Sequence, residues 1–126
     1  MKTVIRARDF EVSRAFYSEL LGLRVVEEWN EEDDRGAVFA LGVGHDGAYV
    51  EVSAASSDPR SQRVHALAAN DKVELQIHTD SVEAWVERLT GRVDLEGPVT
   101  RRWGHRYLWL HDPDGVRIAL YETAPD

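Results

Sequence analysis

Hydrophobic and polar positions alternate along the first residues, switch to helical spacing, and alternate again. The chain runs through this cycle twice. Lys2 to Arg8 reads as a strand containing the β-branched pair Val4 and Ile5. From Phe10 to Leu21 the spacing is helical. Val12, Ala15, Phe16 and Leu20 form the expected apolar stripe, and Ser13, Arg14 and Glu19 fall on other faces. Asp9 is a natural N-cap and Gly22 a natural C′ residue. Leu23 to Trp29 is a second strand, and Asn30 to Arg35 a polar, acidic connection. Gly36 to Leu41 and Ala48 to Ser53 form a hairpin around Gly44–Gly47, with Tyr49, Glu51 and Ser53 on one face and Val50 and Val52 on the other.

Ala54 to Asn70 is a joint, in which Ser56-Ser57-Asp58-Pro59 is a loop and Arg60 to Ala69 is either a short helix or irregular. The cycle then restarts with a strand from Lys72 to His78. Asp80 or Ser81 can cap a helix from Val82 to Leu89, whose stripe is Val82, Trp85, Val86 and Leu89, and Gly91 closes it. Gly97-Pro98 interrupts the strand region Val93 to Arg101, which marks an edge or bulged strand. A second hairpin follows in WGHRYLWLHDPDGVRIALYE, residues 103–122, turning at Asp112-Pro113-Asp114-Gly115. A shift of 68 residues carries Gly47 onto Gly115 and Glu51 onto Ala119, so one module is built twice. The expected fold is α+β. Two paired βαβββ modules, about 1–55 and 72–123, are joined by 56–71 in a single domain, and their curved mixed sheets form a concave cup.

Composition narrows the function. With 43% hydrophobic residues the chain can bury a core. It has no run of the roughly 20 apolar residues that a membrane span needs, and its first residues lack the apolar segment of a secretory signal. There are no cysteines, so neither disulfides nor thiolate ligands are available, which fits a cytoplasmic protein. A net charge of −8 argues against nucleic acid as a partner; it serves solubility first, and its long-range field would also attract cationic ligands. No Ser stands in a GxSxG setting, and Gly42-Val43-Gly44 precedes no helix, so a serine hydrolase and a phosphate loop both lack support. His45, His65, His105 and His111 read as turn, joint or surface residues.

Several stretches together resemble the vicinal oxygen chelate superfamily, which includes glyoxalase I, extradiol dioxygenases, fosfomycin-resistance enzymes and bleomycin-resistance proteins. They are Arg8-Asp9-Phe10-Glu11-Val12-Ser13-Arg14-Ala15-Phe16-Tyr17, Leu21-Gly22-Leu23, and Asp112-Pro113-Asp114-Gly115 followed by Ile118 and Leu120-Tyr121-Glu122. The resemblance covers nearly the whole chain. It implies paired βαβββ modules, a homodimer, and in many members a divalent metal held at four matched positions. Those positions fall on Lys2 (or Thr3), Glu51, Glu74 and Ala119, so at most two of the four ligands are present. His78 shares a strand face with Glu74 and Gln76 and offers a donor for a shifted site.

Two carboxylates pointing into a cup need cations, either Lys2, Arg6 or Arg117 of the chain itself or a cationic ligand. Trp103, Tyr107 and Trp109 alternate along one strand, with Tyr49 and Tyr121 on neighbouring strands. An aromatic near Trp103 lines the ligand groove in bleomycin-resistance-like members. The candidate ligand-binding set is therefore Glu51, Glu74, Tyr49, Trp103, Tyr107, Tyr121, Arg6 and His78. The reading is a homodimeric, cytoplasmic small-molecule binding protein with no cofactor, which sequesters an aromatic or cationic antibiotic-like compound. The alternative is a lyase, isomerase or dioxygenase that depends on a divalent metal ion at Glu51 and Glu74.

Overall fold

The computed structural model describes residues 2–32, 34–41, 47–54 and 73–125. The turn residues Gly44, His45 and Asp46, the joint with its Arg60–Ala69 segment, and His65 lie outside them. The chain divides into two compact units, Met1–Ala69 and Asn70–Asp126.

The first module runs β1 (Lys2–Ala7), α1 (Phe10–Ala15, continuing through Phe16–Leu20), β2 (Arg24–Glu31), β3 (Asp34–Ala40) and β4 (Tyr49–Ala54). Its sheet has the order β1-β4-β3-β2, with β1 parallel to β4 and the other pairs antiparallel. The second module repeats this with β5 (Glu74–His78), α2 (Val82–Leu89), β6 (Glu96–Thr100), β7 (Arg106–His111) and β8 (Arg117–Glu122), in the order β5-β8-β7-β6. The expected βαβββ order is present in both halves. Gly97-Pro98 falls on β6, an edge strand whose register shifts between Glu96 and Val99. No described helix is long and apolar enough to cross a membrane.

Local chemistry starts and stops the helices as the sequence suggests. The Asp9 carboxylate accepts from the Val12 N–H at 3.2 Å, and the Ser81 hydroxyl from the Ala84 N–H at 3.1 Å. Past their ends, Gly22 (φ 67°) and Gly91 (φ 82°) take the left-handed conformation that side chains resist.

The buried stripe of the first helix corrects the sequence reading. Val12 is half exposed, at 50%, whereas Phe10, Ser13, Phe16 and Tyr17 are buried. Burying three aromatic rings removes more apolar surface than burying Val12 would, and Ser13 is small enough to face the sheet. Phe16 and Tyr17 are neighbours, yet both are buried. Over Phe16–Leu20 the helix widens to π spacing, with the Leu21 N–H reaching the Phe16 carbonyl at 2.9 Å.

In each module, strand alternation sends one face to the core and, among the described residues, leaves the other free of helix. In the second, Leu75, Ile77, Leu108, Leu110, Ile118 and Leu120 are buried, as are Val82 and Leu89 of α2. The helix-free faces carry the polar and aromatic positions of the same strands.

Candidate functional site

Strand register settles which positions correspond between the modules. Lys2 pairs with Tyr49 and Val4 with Glu51 in the first, and Glu74 pairs with Arg117 and Gln76 with Ala119 in the second. Lys2 is therefore the counterpart of Glu74, and Thr3 is not. The helix caps agree, since Asp9 stands in front of α1 as Ser81 does in front of α2.

On the helix-free face of the first module, the Lys2 ammonium reaches along β4 to Glu51 Oε1 at 2.7 Å. The Ser53 hydroxyl donates to the other oxygen, Oε2, at 2.7 Å. The Lys2 hydrogen bond, then that of Ser53, with the Lys2 and Arg6 charges behind them, hold the Glu51 carboxyl below its ordinary range despite some burial. Arg6 is exposed opposite Ser53, and Tyr49 is half-buried beside Gly47.

The same face carries an aromatic that sequence reasoning left as the end of a strand. Trp29 lies flat on Gly36, its register partner, and its indole N–H donates to Asp34 Oδ1 at 2.8 Å. A Cβ on Gly36 would sit inside the ring, 2.6 Å from Trp29 Cε2, so the glycine is required here for close approach. A large aromatic on the strand next to an in-register glycine was the available signal, but the register itself is not visible in sequence.

The second module gathers more of the candidate residues. Glu74 Oε1 accepts from Arg117 Nε at 2.8 Å, and Oε2 from Gln76 Nε2 at 2.9 Å. Burial pushes the Glu74 carboxyl up, but the bonds from Gln76 and Arg117 and the Arg117 charge outweigh it, and the group is held low. Arg117 Nη1 also meets Glu96 Oε2 at 3.1 Å, and the Arg117 guanidinium lies 5.2 Å from the Trp109 ring. The Arg101 guanidinium is 5.3 Å from the same ring. Tyr107 stacks on Trp109 at 5.7 Å and 9°, and on Tyr121 at 5.7 Å and 20°. His78 meets Tyr121 edge-on at 5.4 Å. Four rings from three adjacent strands thus form one row, flanked by guanidinium groups.

Trp103 departs from the expected strand. β7 begins at Arg106, and Trp103 lies in the preceding turn, where the Gly104 N–H donates to the Arg101 carbonyl at 2.8 Å. Its side chain is 56% exposed. The turn interrupts the alternation that would have aligned it with Tyr107 and Trp109.

The donor set does not fit the divalent metal that the fold implies. Both oxygens of Glu51 and both of Glu74 are taken by donors of their own modules. Lys2, while protonated, has no lone pair, and Ala119 has no side-chain donor. Among the described residues no three His, Asp or Glu side chains gather as a metal site would require.

The low-held carboxylates set a pH dependence. A carboxyl whose pKa is lower in the folded state adds stability above its unfolded pKa, and that stability is lost as pH falls through the folded value. Urea unfolding is therefore expected to show wild type weakening between about pH 5 and pH 3. The Glu51→Gln/Glu74→Gln double variant should lose less over that interval. Equal acid sensitivity in the two proteins would contradict the assignment.

The family model described as Glyoxalase/Bleomycin resistance protein/Dioxygenase superfamily matches residues 2–120. Uncharacterized protein YwkD of Bacillus subtilis (strain 168) is 30% identical over 125 residues, spanning 90% of this chain and 88% of that protein. TnmS3, an antibiotic binding protein from Streptomyces sp. CB03234, is 25% identical with a TM-score of 0.71, over 98% of this chain and 93% of that one. A glyoxalase/bleomycin resistance protein from the same Streptomyces is 26% identical with a TM-score of 0.66, over 94% and 96%.

Proposed function

The chain belongs to the Glyoxalase/Bleomycin resistance protein/Dioxygenase superfamily, and from that premise we propose that it is a small-molecule binding protein which sequesters a planar aromatic, antibiotic-like compound. The row of Trp109, Tyr107, Tyr121 and His78 carries this reading. Aligned rings on a sheet offer a large, rigid apolar contact with little entropy to lose on binding. The relative TnmS3, an antibiotic binding protein, supports the antibiotic-like part of this reading. Glu74, Arg117, Tyr107, Tyr121 and His78 form the binding face, with Trp109 beneath it. Glu51, Tyr49 and Arg6 belong to the corresponding face of the first module, and Trp103 to the turn leading into β7.

The cationic half of the expectation loses its support, because Lys2 and Arg117 already neutralise the two carboxylates. No chemical step is assigned to the face, since among the described residues the Glu51 and Glu74 carboxylates are both paired and no metal-binding set gathers.

The assembly proposed with this function is a homodimer, because the short sheets leave edge strands that a symmetric partner can cover. A panel of planar aromatic antibiotics, followed by thermal unfolding and sedimentation, tests both claims. A bound compound at about 100 times its Kd should add about 2.7 kcal/mol of stability. It should be recovered chemically unchanged, and Tyr107→Ala should weaken it tenfold or more. Turnover of the compound, or binding indifferent to Tyr107, would overturn the reading. A sedimenting monomer at micromolar concentration would remove the dimer alone.

A further inference from the structure

Arg117 is held unequally by its two carboxylates. Glu74 takes Nε at 2.8 Å from a largely covered position, whereas Glu96 takes Nη1 at 3.1 Å with a side chain that is 64% exposed. Glu96 is the first residue of the edge strand β6, directly before the register shift, so little around it fixes its rotamer. The remaining guanidinium nitrogen, Nη2, makes no hydrogen bond among the described residues. The planar group lies 5.2 Å from the Trp109 ring, at one end of the aromatic row.

We infer that Arg117 reads an acidic oxygen on the ligand, so that the compound taken by this face is a planar aromatic bearing a carboxylate or similar anion, with Glu96 as the competitor it displaces. This inference rests on the proposed binding function and specifies its ligand. The ring system meets the Tyr107, Tyr121 and His78 side of the row, and the acidic group docks at the Arg117 end. Two N–H groups of one guanidinium match two oxygens of a carboxylate, and the charge-assisted pair is stronger than a neutral one. Exchanging Glu96 for a ligand carboxylate costs little, because an exposed ion pair contributes little to stability. The net charge of −8 opposes the approach of an anion only at long range, and at 0.15 M salt it is screened beyond about 8 Å.

Three naphthalene probes of matched size separate the possibilities: 2-naphthoate, neutral 2-methoxynaphthalene and 2-naphthylmethylammonium, titrated at 0.15 M salt by calorimetry. The naphthoate is expected to bind about tenfold more tightly than either of the others. Arg117→Gln should erase that advantage. Glu96→Gln, an exposed change that leaves the core untouched, should improve the ratio of naphthoate to neutral-probe affinity by threefold or more. Neutral or ammonium probes binding as well as naphthoate, or a Glu96→Gln ratio unchanged or reduced, would overturn the role of Arg117 and leave the aromatic site standing. Failure of all three probes to bind would overturn the site and this inference together.

Discussion

Replacing Asp112 by alanine is expected to lower stability by about 3 kcal/mol, among the larger losses available from one side chain outside the hydrophobic core. Asp112 is only 5% exposed, and its Oδ1 accepts from the backbone N–H groups of both Asp114 and Val116 at 2.8 Å. Its own N–H donates to the Val116 carbonyl at 2.9 Å, so the residue closes the turn from both sides. Alanine removes a charged acceptor and leaves two N–H groups without a partner in a part-buried turn. Asn keeps one acceptor oxygen and should lose only about 1 kcal/mol. Urea unfolding of the two variants measures the difference. A loss for alanine below about 0.5 kcal/mol would show that the turn does not depend on this carboxylate.

Phe39→Ala is expected to cost about 4 kcal/mol. Phe39 is fully buried on β3, paired with Val25 and Val50, with the Tyr17 ring 5.8 Å away and Phe16 edge-on to Tyr17 at 5.1 Å. Removing the ring opens a cavity among groups already fixed by a sheet and a π turn, which have little freedom to collapse. Phe39→Leu fills most of that volume and should cost about 1.5 kcal/mol or less. Chemical denaturation of the pair tests the cavity argument. Near-equal losses would indicate that shape at this position matters more than volume.

The architecture was legible because its signals are local. Asp9 and Ser81 before apolar segments, Gly22 and Gly91 after them, Gly97-Pro98 within β6 and the Asp112–Gly115 turn each act over a few residues. They therefore mark element boundaries in the sequence itself. The stripe of the first helix was misread, because Ser13 looks polar in a sequence and only its complete burial shows that it belongs to the inward face. The site was less legible because it depends on register. That Lys2 meets Glu51 and that Arg117 stands opposite Glu74 follow from pairing across strands far apart in sequence, and that Trp29 lies on Gly36 follows from the register of the β2–β3 pair. Alternation alone aligned Tyr107 with Trp109 correctly but also recruited Trp103, since a period of two gives no warning of the turn at Arg101–Gly104.

The pleat of β7 and β8 assigns successive residues to different tasks. Leu108, Leu110, Ile118 and Leu120 are buried in the core, while Tyr107, Trp109, Arg117 and Tyr121 sit between or beside them on the other face. At the level of the gene, alternate codons therefore answer to different pressures. Codon changes at the partly exposed positions Tyr107, Arg117 and Tyr121 can alter that face while the intervening leucine and isoleucine codons, which hold the core, stay as they are.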